Sequence, residues 1–220
     1  MDRTTAIAVF DFDETIVFEN SLGLLFQHAT GSRTYFLHAI PAILSFLFTS
    51  QAYQSGAYYQ LRKAIKQRLY RHCLQGRSMA TLESAGKFAA TKLTLNPGVV
   101  EHLKQHRQQG DYILIATASP WQYVEAILSA QNIPFDKVIG TELSIASSAS
   151  DNAALRGQIN GEECSRDHKW QRIQETLIGA GFKPESLTAF GNDPDDIPML
   201  RQATLGYIVS GTDITAYQGN

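Results

Sequence analysis

The stretch AIAVFDFDET, residues 6–15, decides the fold of this chain. It opens with five apolar residues, and a short apolar run containing valine, isoleucine and phenylalanine is typical of a buried strand in a parallel sheet. Asp11 and Asp13 follow directly. Since residues two apart on an extended chain face the same side, the two carboxylates are expected together at the carboxyl end of this strand.

Two further strands are predicted in the same way, and each leads into polar residues. Residues 112–116 (YILIA) precede Thr117, and residues 187–190 (LTAF) precede Gly191 and an acidic loop. Apolar residues recur at helical spacing over residues 99–108, 121–131 and 170–178. This alternation predicts an α/β fold with a doubly wound, Rossmann-like parallel sheet. Ligands bind such sheets beyond the carboxyl ends of the strands, so the polar ends are expected to converge.

The region after the first strand has a different pattern. From about residue 18 to residue 94 no strand is evident, and apolar residues recur at helical spacing. We therefore expect a helical cap domain over residues 18–94, inserted into a core domain made of residues 1–17 and 95–220. Residues 138–161 are rich in small and polar residues and predict a hairpin or an excursion loop.

Residues 35–48 (YFLHAIPAILSFLF) are the most apolar part of this insertion. The run is shorter than the roughly 18 residues that a membrane-spanning helix needs, and Pro41 interrupts it. A buried helix of the cap is the favoured interpretation, and contact with a membrane surface is the alternative.

Composition narrows the classes of partner. The chain has 220 residues, 44% of them hydrophobic and 18% charged, with a net charge of -2, which is ordinary for a globular protein. A pI of about 6.3 lacks the basic surplus of nucleic-acid binders, so no nucleic-acid partner is expected. A local basic cluster is interpreted as the solvated face of a helix, and it comprises Arg62, Lys63, Lys66, Arg68 and Arg71.

The two cysteines and the first residues bear on the compartment. Cys73 and Cys164 lie far apart, outside the spacing of a redox or zinc motif, and are expected to be buried free thiols. Residues 1–5 lead at once into the first strand and do not resemble a signal peptide. Cytoplasmic residence is therefore expected.

The acid pair suits phosphoryl transfer, which needs an in-line nucleophile, a proton donor for the leaving oxygen, and positive charge around the phosphoryl group. A carboxylate has a reference pKa of about 3.9 and is already ionised at neutral pH, so Asp11 can attack without a base. Asp13 can then move protons. Taken alone, two such acids after an apolar run also fit a turn or a helix cap.

Thr117 and Lys169 are candidates for binding the phosphoryl oxygens. The threonine hydroxyl and backbone N–H can donate hydrogen bonds, and the lysine ammonium can act as a point charge. The alternatives are a helix N-terminal turn in which Ser119 caps before Pro120, and an ordinary surface lysine.

The segment GNDPDDIPML, residues 191–200, carries a dense set of oxygen ligands that suits Mg²⁺ better than zinc or copper. The candidates are Asn192, Asp193, Asp195 and Asp196. The alternative is an acidic turn in which Asp196 caps a helix. The joint occurrence of an acid pair, a hydroxyl, a lysine and an acidic loop on an α/β pattern favours a site over these separate alternatives.

DFDET, ILIATAS, Lys169 and GNDPDD resemble, in this order, the four signature motifs of the haloacid dehalogenase superfamily. The helical insertion resembles its C1 cap. A closer resemblance is to the phosphoserine-phosphatase-like subfamily IB, through Pro97-Gly98, ATASP, GQINGEEC and GNDPDDIPML. These likenesses span most of residues 6–210.

The resemblance implies a role for each motif residue. Asp11 would be the nucleophile and a metal ligand, and Asp13 the general acid and base whose backbone carbonyl also binds Mg²⁺. Thr117, Ala118, Lys169 and Asn20 would contact the substrate. The remaining metal ligands would be Asn192 and Asp196, with Asn192 standing where the family commonly has a metal-binding aspartate.

A departure from the family pattern bears on the substrate. Phosphoserine phosphatases carry a glutamate that meets the substrate amino group where this chain has Asn20, with Glu19 beside it. Phosphoserine is therefore not the expected substrate. The leading hypothesis is a Mg²⁺-dependent phosphatase of a small phosphorylated metabolite. The alternatives are a phosphatase of a lipid-like phosphate at a membrane surface and a non-catalytic phosphate-binding domain of the same fold.

Overall fold

The computed structural model describes residues 6–32, 35–36, 56–146, 153–182, 186–192 and 194–219, with the backbone alone for residues 56–58. The strands are β1 Ile7–Phe10, β2 Tyr112–Pro120, β3 Lys137–Thr141, β4 Leu143–Ile145, β5 Leu155–Ile159, β6 Leu187–Gly191, β7 Leu205–Ser210 and β8 Asp213–Ala216. The helices are α1 Leu22–Thr30, α2 Gly56–Leu74, α3 Met79–Ala90, α4 Pro97–Gln109, α5 Trp121–Ala130, α6 Arg166–Gly179 and α7 Ile197–Gln202.

Six strands form one sheet in the order β3-β2-β1-β6-β7-β8. Every neighbouring pair is parallel except β7 and β8, which are antiparallel. The predicted α/β class and doubly wound sheet are confirmed. The strands and helices predicted around the three motifs are present, and α6 begins four residues before the predicted helix over residues 170–178. The strands β7 and β8 were not predicted.

Both faces of the sheet are buried, as doubly wound topology requires. Successive residues of β1 belong to different hydrophobic clusters: Ala8 and Phe10 pack in one, Ile7 and Val9 in the other. All four side chains are at most 1% exposed. This burial explains why β1 is an unbroken apolar run instead of an alternating one.

Three aromatic residues stack across adjacent strands, with Phe10 and Phe190 near the carboxyl ends of β1 and β6 and Tyr207 within β7. Phe10 pairs with Phe190 across β1 and β6, and Phe190 pairs with Tyr207 across β6 and β7. The rings stack with centroids 4.7 and 4.9 Å apart. Because stacked aromatic side chains add to the energy of burial, they hold Asp11 level with the loop that follows Gly191.

The described residues between β1 and α4 contain three helices, α1, α2 and α3, and no strand of the main sheet. Helix α3 crosses α5 at close range, where a Cβ built on Gly86 would lie 2.5 Å from the carbonyl oxygen of Tyr123. The division into a core and a cap domain stays a prediction. The predicted buried helix over residues 35–48 lies outside the described residues, apart from Tyr35 and Phe36. Among the described helices, none is long and apolar enough to cross a membrane.

The region predicted as a hairpin or loop contains two different structures. Residues 137–141 join the main sheet as β3, whereas β4 and β5 pair as a separate antiparallel ribbon. Gly157 of β5, with φ 67°, lies against α2, where an added Cβ would be 2.8 Å from the Cα of Arg71. The ribbon therefore packs directly on the backbone of α2. Cys73 and Cys164 are buried and free, as predicted.

Gly86→Ala is expected to lower the free energy of unfolding by about 1–3 kcal/mol, because the new methyl group overpacks the α3–α5 crossing. Helix propensity alone would predict a gain of up to about 1 kcal/mol. Gly179→Ala is the matched control, since no atom lies within 4 Å of its added Cβ. Urea denaturation measures both variants, and a Gly86→Ala protein as stable as the control would refute the close packing.

Candidate active site

A cavity of about 310 Å³ lies beyond the carboxyl ends of β1, β2 and β6. In this strand order β1 and β6 flank the topological switch point, where open α/β sheets bind their ligands. Charged and polar side chains dominate its lining. Thr117 does not contribute to it, and Asp193 lies outside the described residues. The other predicted site residues all line it, namely Asp11, Asp13, Asn20, Ala118, Lys169, Asn192, Asp195 and Asp196.

The ammonium group of Lys169 is the centre of the site. It donates hydrogen bonds to Oδ1 of Asp11 at 2.6 Å and to Oδ1 of Asp196 at 2.5 Å. Lys169 lies in the first turn of α6 and is 2% exposed. Burial disfavours its charged form, but the negative charges of Asp11 and Asp196 outweigh it and raise the lysine pKa. The lysine is therefore a charged group, and not the ordinary surface lysine of the alternative interpretation.

Asp196 is anchored from two sides. Its Oδ1 accepts from Lys169, and its Oδ2 accepts the backbone N–H of Asn192 at 3.0 Å. A side chain at position 191 would not fit, because a Cβ on Gly191 would lie 2.6 Å from that of Asp196. The helix-cap interpretation of Asp196 is wrong, since its side chain makes no capping hydrogen bond to α7.

Asp11 directly follows β1, and its backbone N–H donates to the carbonyl of Phe190 at 2.9 Å. Burial, followed by the nearby charge of Asp196, raises the pKa of the Asp11 carboxyl. Lys169 acts in the opposite direction. Since desolvation and like charge both disfavour the carboxylate, a further cation beside Asp11 would favour its ionised form.

Asp13 is held by hydrogen bonds to both carboxylate oxygens. Oδ1 accepts the backbone N–H of Ser21 at 2.6 Å, and Oδ2 accepts the hydroxyl of Ser119 at 2.7 Å. The backbone carbonyl of Asp13 faces the side-chain amide of Asn192, with Nδ2 at 3.4 Å. The predicted capping role of Ser119 is therefore wrong, because its hydroxyl bonds Asp13 and α5 has no side-chain cap.

The end of β2 is irregular, and this irregularity shapes the site. Ala116 pairs with Ile139 and Pro120 with Thr141, so residues 117–119 bulge out opposite Gly140 alone. A Cβ on Gly140 would lie 2.5 Å from the carbonyl oxygen of Ser119. Bulges of this kind re-aim side chains beside functional sites. Ala118 and Ser119 consequently line the cavity.

Thr117 lies at the start of the bulge and does not line the cavity. It is fully buried, and its hydroxyl accepts the backbone N–H of Ser119 at 3.1 Å. As an acceptor in that bond, the hydroxyl retains its own proton as a donor. Its direct contact with substrate stays a prediction.

Ser165 is a cavity residue that the sequence analysis missed. It is the N-cap residue of α6, with extended backbone, and lies four residues before Lys169. Its hydroxyl is buried and has no hydrogen-bond partner among the described residues. An unsatisfied buried hydroxyl costs about 1–3 kcal/mol, so a ligand oxygen in the cavity would stabilise it. The spacing from Lys169 is the signal that identifies it.

Helix α2 closes one side of the cavity with the residues predicted to be a solvated face. Arg62 bonds Asp195 at 3.1 Å, and Lys66 is paired with Glu163. Arg62 and Lys66 both line the cavity. The interpretation of the basic cluster as a solvated helix face is therefore wrong for Arg62 and Lys66. Acidic loops that are distant in sequence pair with them, which helical spacing alone does not reveal.

Glu19 does not take the place of the glutamate that phosphoserine phosphatases carry where this chain has Asn20. Its carboxylate accepts the backbone N–H of Thr94 at 3.0 Å, and it does not line the cavity. Although burial opposes it, this bond lowers the pKa of Glu19. Asn20 does line the cavity, with its side-chain oxygen accepting the backbone N–H of Leu22. Position 20 therefore presents a neutral amide, where a glutamate would present a charge.

The oxygen atoms of this site suit a hard cation such as Mg²⁺. Asp11, Asp13 and Asn192 all line the cavity, and the carbonyl oxygen of Asp13 lies 3.4 Å from the amide nitrogen of Asn192. A half-turn of the Asn192 amide would bring its oxygen to the position that its nitrogen holds beside Asp13. Among the described residues, no three His, Cys, Asp or Glu side chains form a metal cluster. The fit therefore depends on one carboxylate and two neutral oxygens.

Comparison with known proteins identifies the family. The haloacid dehalogenase-like hydrolase model matches residues 8–201. A comparison with curated sequences gave no match.

Several solved structures share the fold. A Bordetella pertussis Tohama I protein of unknown function has 16% identity and a TM-score of 0.64, covering 92% of this chain and 88% of that one. A HAD family hydrolase from Salmonella enterica serovar Typhi has 20% identity and a TM-score of 0.61, with 93% and 62% covered. A phospho-aspartyl intermediate analogue of phosphoserine phosphatase has 17% identity and a TM-score of 0.60, with 92% and 85% covered.

Lys169→Met is expected to lower the free energy of unfolding by about 3–5 kcal/mol, because it leaves two buried carboxylates facing each other without a cation. Lys92→Met removes an exposed lysine and is the control, with an expected change within about 0.5 kcal/mol. Chemical denaturation at neutral pH, without divalent cations, measures both. Equal stability of the two variants would show that the buried ion pairs do not stabilise the fold.

Proposed function

The chain belongs to the haloacid dehalogenase-like hydrolase family, and on that premise we propose that it is a Mg²⁺-dependent phosphatase of a small phosphomonoester. The reaction proceeds through an aspartyl-phosphate on Asp11. The observation that carries the proposal is the buried Lys169 ammonium, which joins Asp11 to Asp196 at the cavity. Such a group stabilises the negative charge that phosphoryl transfer concentrates there.

Asp11 is the nucleophile of this proposal. Lys169 engages Oδ1, so we assign the attack on phosphorus to Oδ2. The new Oδ2–P bond forms as the bond from phosphorus to the leaving oxygen breaks. Water then attacks the same phosphorus, which releases inorganic phosphate and restores the Asp11 carboxylate.

Asp13 moves the protons in both halves of the reaction. In the first half it gives its proton to the leaving oxygen, and in the second half it takes one from the attacking water. Its carboxylate lines the same cavity as Asp11, and both of its oxygens are held by hydrogen bonds. Proton transfer by a positioned side chain contributes about 10²- to 10⁴-fold to a rate.

The phosphoryl oxygens are held by donors from two elements. The first turn of α6 supplies the Lys169 ammonium, and Ser165 directly before it supplies a hydroxyl that has no partner among the described residues. The bulge of β2 supplies the backbone N–H of Ala118 and the hydroxyl of Thr117. Charged and dipolar donors fixed before the reaction need no reorganisation when charge develops.

Mg²⁺ would be held by the carboxylate of Asp11, the carbonyl of Asp13 and the amide oxygen of Asn192. When bound, it neutralises charge on the nucleophile and on the phosphoryl oxygens. Both Asp196 oxygens accept hydrogen bonds from the protein, so we place Asp196 beside these ligands, holding Lys169, with direct ligation a prediction.

The substrate is a small phosphorylated metabolite. The cavity of about 310 Å³ is at the lower end of the roughly 300–1,000 Å³ of ligand pockets. Asn20 at its edge does not offer the charge that an ammonium group prefers, so phosphoserine is not the expected substrate. Closure of a cap made of residues 18–94 over the core would exclude water during the first half-reaction.

The two alternatives find less support in the described residues. The apolar run of residues 35–48, which motivated a lipid-like substrate, lies mostly outside them. A non-catalytic phosphate-binding domain would not need Asp13, whose carboxylate is nevertheless oriented in the cavity by two donors. Cytoplasmic residence stays a prediction.

A panel of phosphomonoesters assayed with Mg²⁺ tests the function. We expect the wild-type chain to release phosphate from small members, and Asp11→Asn to lose at least about 10³-fold in kcat, because an amide is a poor nucleophile. Glu101→Gln on the exposed face of α4 is the control and retains wild-type rates. Full activity of Asp11→Asn, or no turnover of any ester by the wild type, would refute the proposal.

Asn192→Asp tests the metal site separately. The substitution adds a negative charge to a ligand set that contains one carboxylate, so the Mg²⁺ concentration for half-maximal activity is expected to fall by about tenfold. A titration of phosphatase activity with Mg²⁺ in both proteins measures this. An unchanged half-maximal concentration would mean that Asn192 does not contact the metal.

A further inference from the structure

We propose that Ser119 is a positioning residue that orients Asp13 for proton transfer, with Tyr123 acting as a second positioning residue through Ser21. The inference rests on the proposed function, since it concerns the proton step assigned to Asp13. Ser119 lies near the end of β2 and Tyr123 in the first turn of α5, and neither is among the predicted site residues.

The contacts form a continuous chain around Asp13. Ser119 donates its hydroxyl to Oδ2 at 2.7 Å, and Ser21 donates its backbone N–H to Oδ1 at 2.6 Å. Tyr123 donates its hydroxyl to the carbonyl of the same Ser21 at 2.8 Å. Ser119 and Tyr123 are thus four residues apart in sequence and act on opposite carboxylate oxygens of Asp13, Ser119 directly and Tyr123 through Ser21.

This chain of contacts is rigid because it is buried. Ser119 is 2% exposed, and Ser21 and Tyr123 are 0% exposed. The backbone of Ser119 is further fixed by its N–H bond to Thr117 and by close contact with Gly140 of β3. Side chains in such dense surroundings keep one rotamer, so the donors reach Asp13 from fixed directions.

The two donors leave each carboxylate oxygen of Asp13 with one free lone pair. The backbone N–H of Ser21 donates to Oδ1, and the Ser119 hydroxyl donates to Oδ2. The proton for the leaving oxygen is therefore carried on a lone pair that neither donor occupies. The proton passes from Asp13 to the leaving oxygen as the P–O bond breaks, and Ser119 neither gains nor loses one.

Ser21 also connects Asp13 to the predicted cap. It lies directly before α1, the first helix of that region. When Tyr123 holds the Ser21 carbonyl, the Ser21 N–H is fixed on Asp13. The orientation of Asp13 thus depends on how the start of the cap lies against α5.

The test compares substrates that differ in their need for a proton. An alkyl phosphomonoester has a basic leaving oxygen and needs the acid, whereas p-nitrophenyl phosphate releases a stabilised phenolate and does not. Ser119→Ala is expected to lower kcat for the alkyl ester on the order of 10- to 100-fold, with a much smaller loss for the aryl ester. KM for both esters is expected to stay near the wild-type value.

Two variants separate orientation from folding. Ser119→Thr keeps the hydroxyl and is expected to restore the wild-type ratio of the two kcat values, even if a tighter fit lowers both. Tyr123→Phe removes only the hydroxyl that holds Ser21 and is expected to shift the ratio in the same direction as Ser119→Ala. Ser129→Ala, on the exposed end of α5, is the control with an unchanged ratio.

The outcomes distinguish this inference from the proposed function. Wild-type protein that hydrolyses neither ester would overturn both. Wild-type activity with equal losses on the two esters in Ser119→Ala and in Tyr123→Phe would overturn the positioning role alone, because a structural defect does not depend on the leaving group. Unchanged kcat values in both variants would overturn it as well.

Discussion

The buried ammonium of Lys169 is the interaction on which the rest of the site depends. A charge of this kind is stable away from water only when acids surround it, and Asp11 and Asp196 meet that need from the ends of two different strands. The ion pairs therefore bring β1, α6 and the loop after β6 to one point. They also explain why a lysine within a helix can be as buried as the core residues, with an exposure of 2%.

The sheet makes this meeting possible. Stacked rings of Phe10, Phe190 and Tyr207 align the strand ends, and glycines at positions 140 and 191 let backbone and side chains approach where a Cβ would collide. The strand order puts the site at the switch point of the sheet. Fold and site are thus one arrangement, in which each strand end delivers one part of the chemistry.

Much of this arrangement was predictable, because apolar runs followed by polar residues identify strand ends locally. That pattern placed Asp11, Asp13, Asn192 and Asp196 around one cavity, the family resemblance added Ala118, and helical spacing located α6. Contacts between distant segments were not predictable. The sequence does not show that β2 bulges, so Ser119 resembled a helix cap, and nothing near Arg62 or Lys66 indicated the acids that pair with them. The strands β7 and β8 were missed because no motif of polar residues follows them.

The most direct test of the central claim is whether Asp11 accepts a phosphoryl analogue. Beryllium fluoride binds a nucleophilic aspartate beside Mg²⁺ as a mimic of the aspartyl-phosphate, and fluorine NMR detects the bound species. The account predicts bound resonances in the wild-type chain that require both Mg²⁺ and beryllium fluoride and that disappear in Asp11→Asn. Resonances that persist in Asp11→Asn, or none in the wild type, would contradict it.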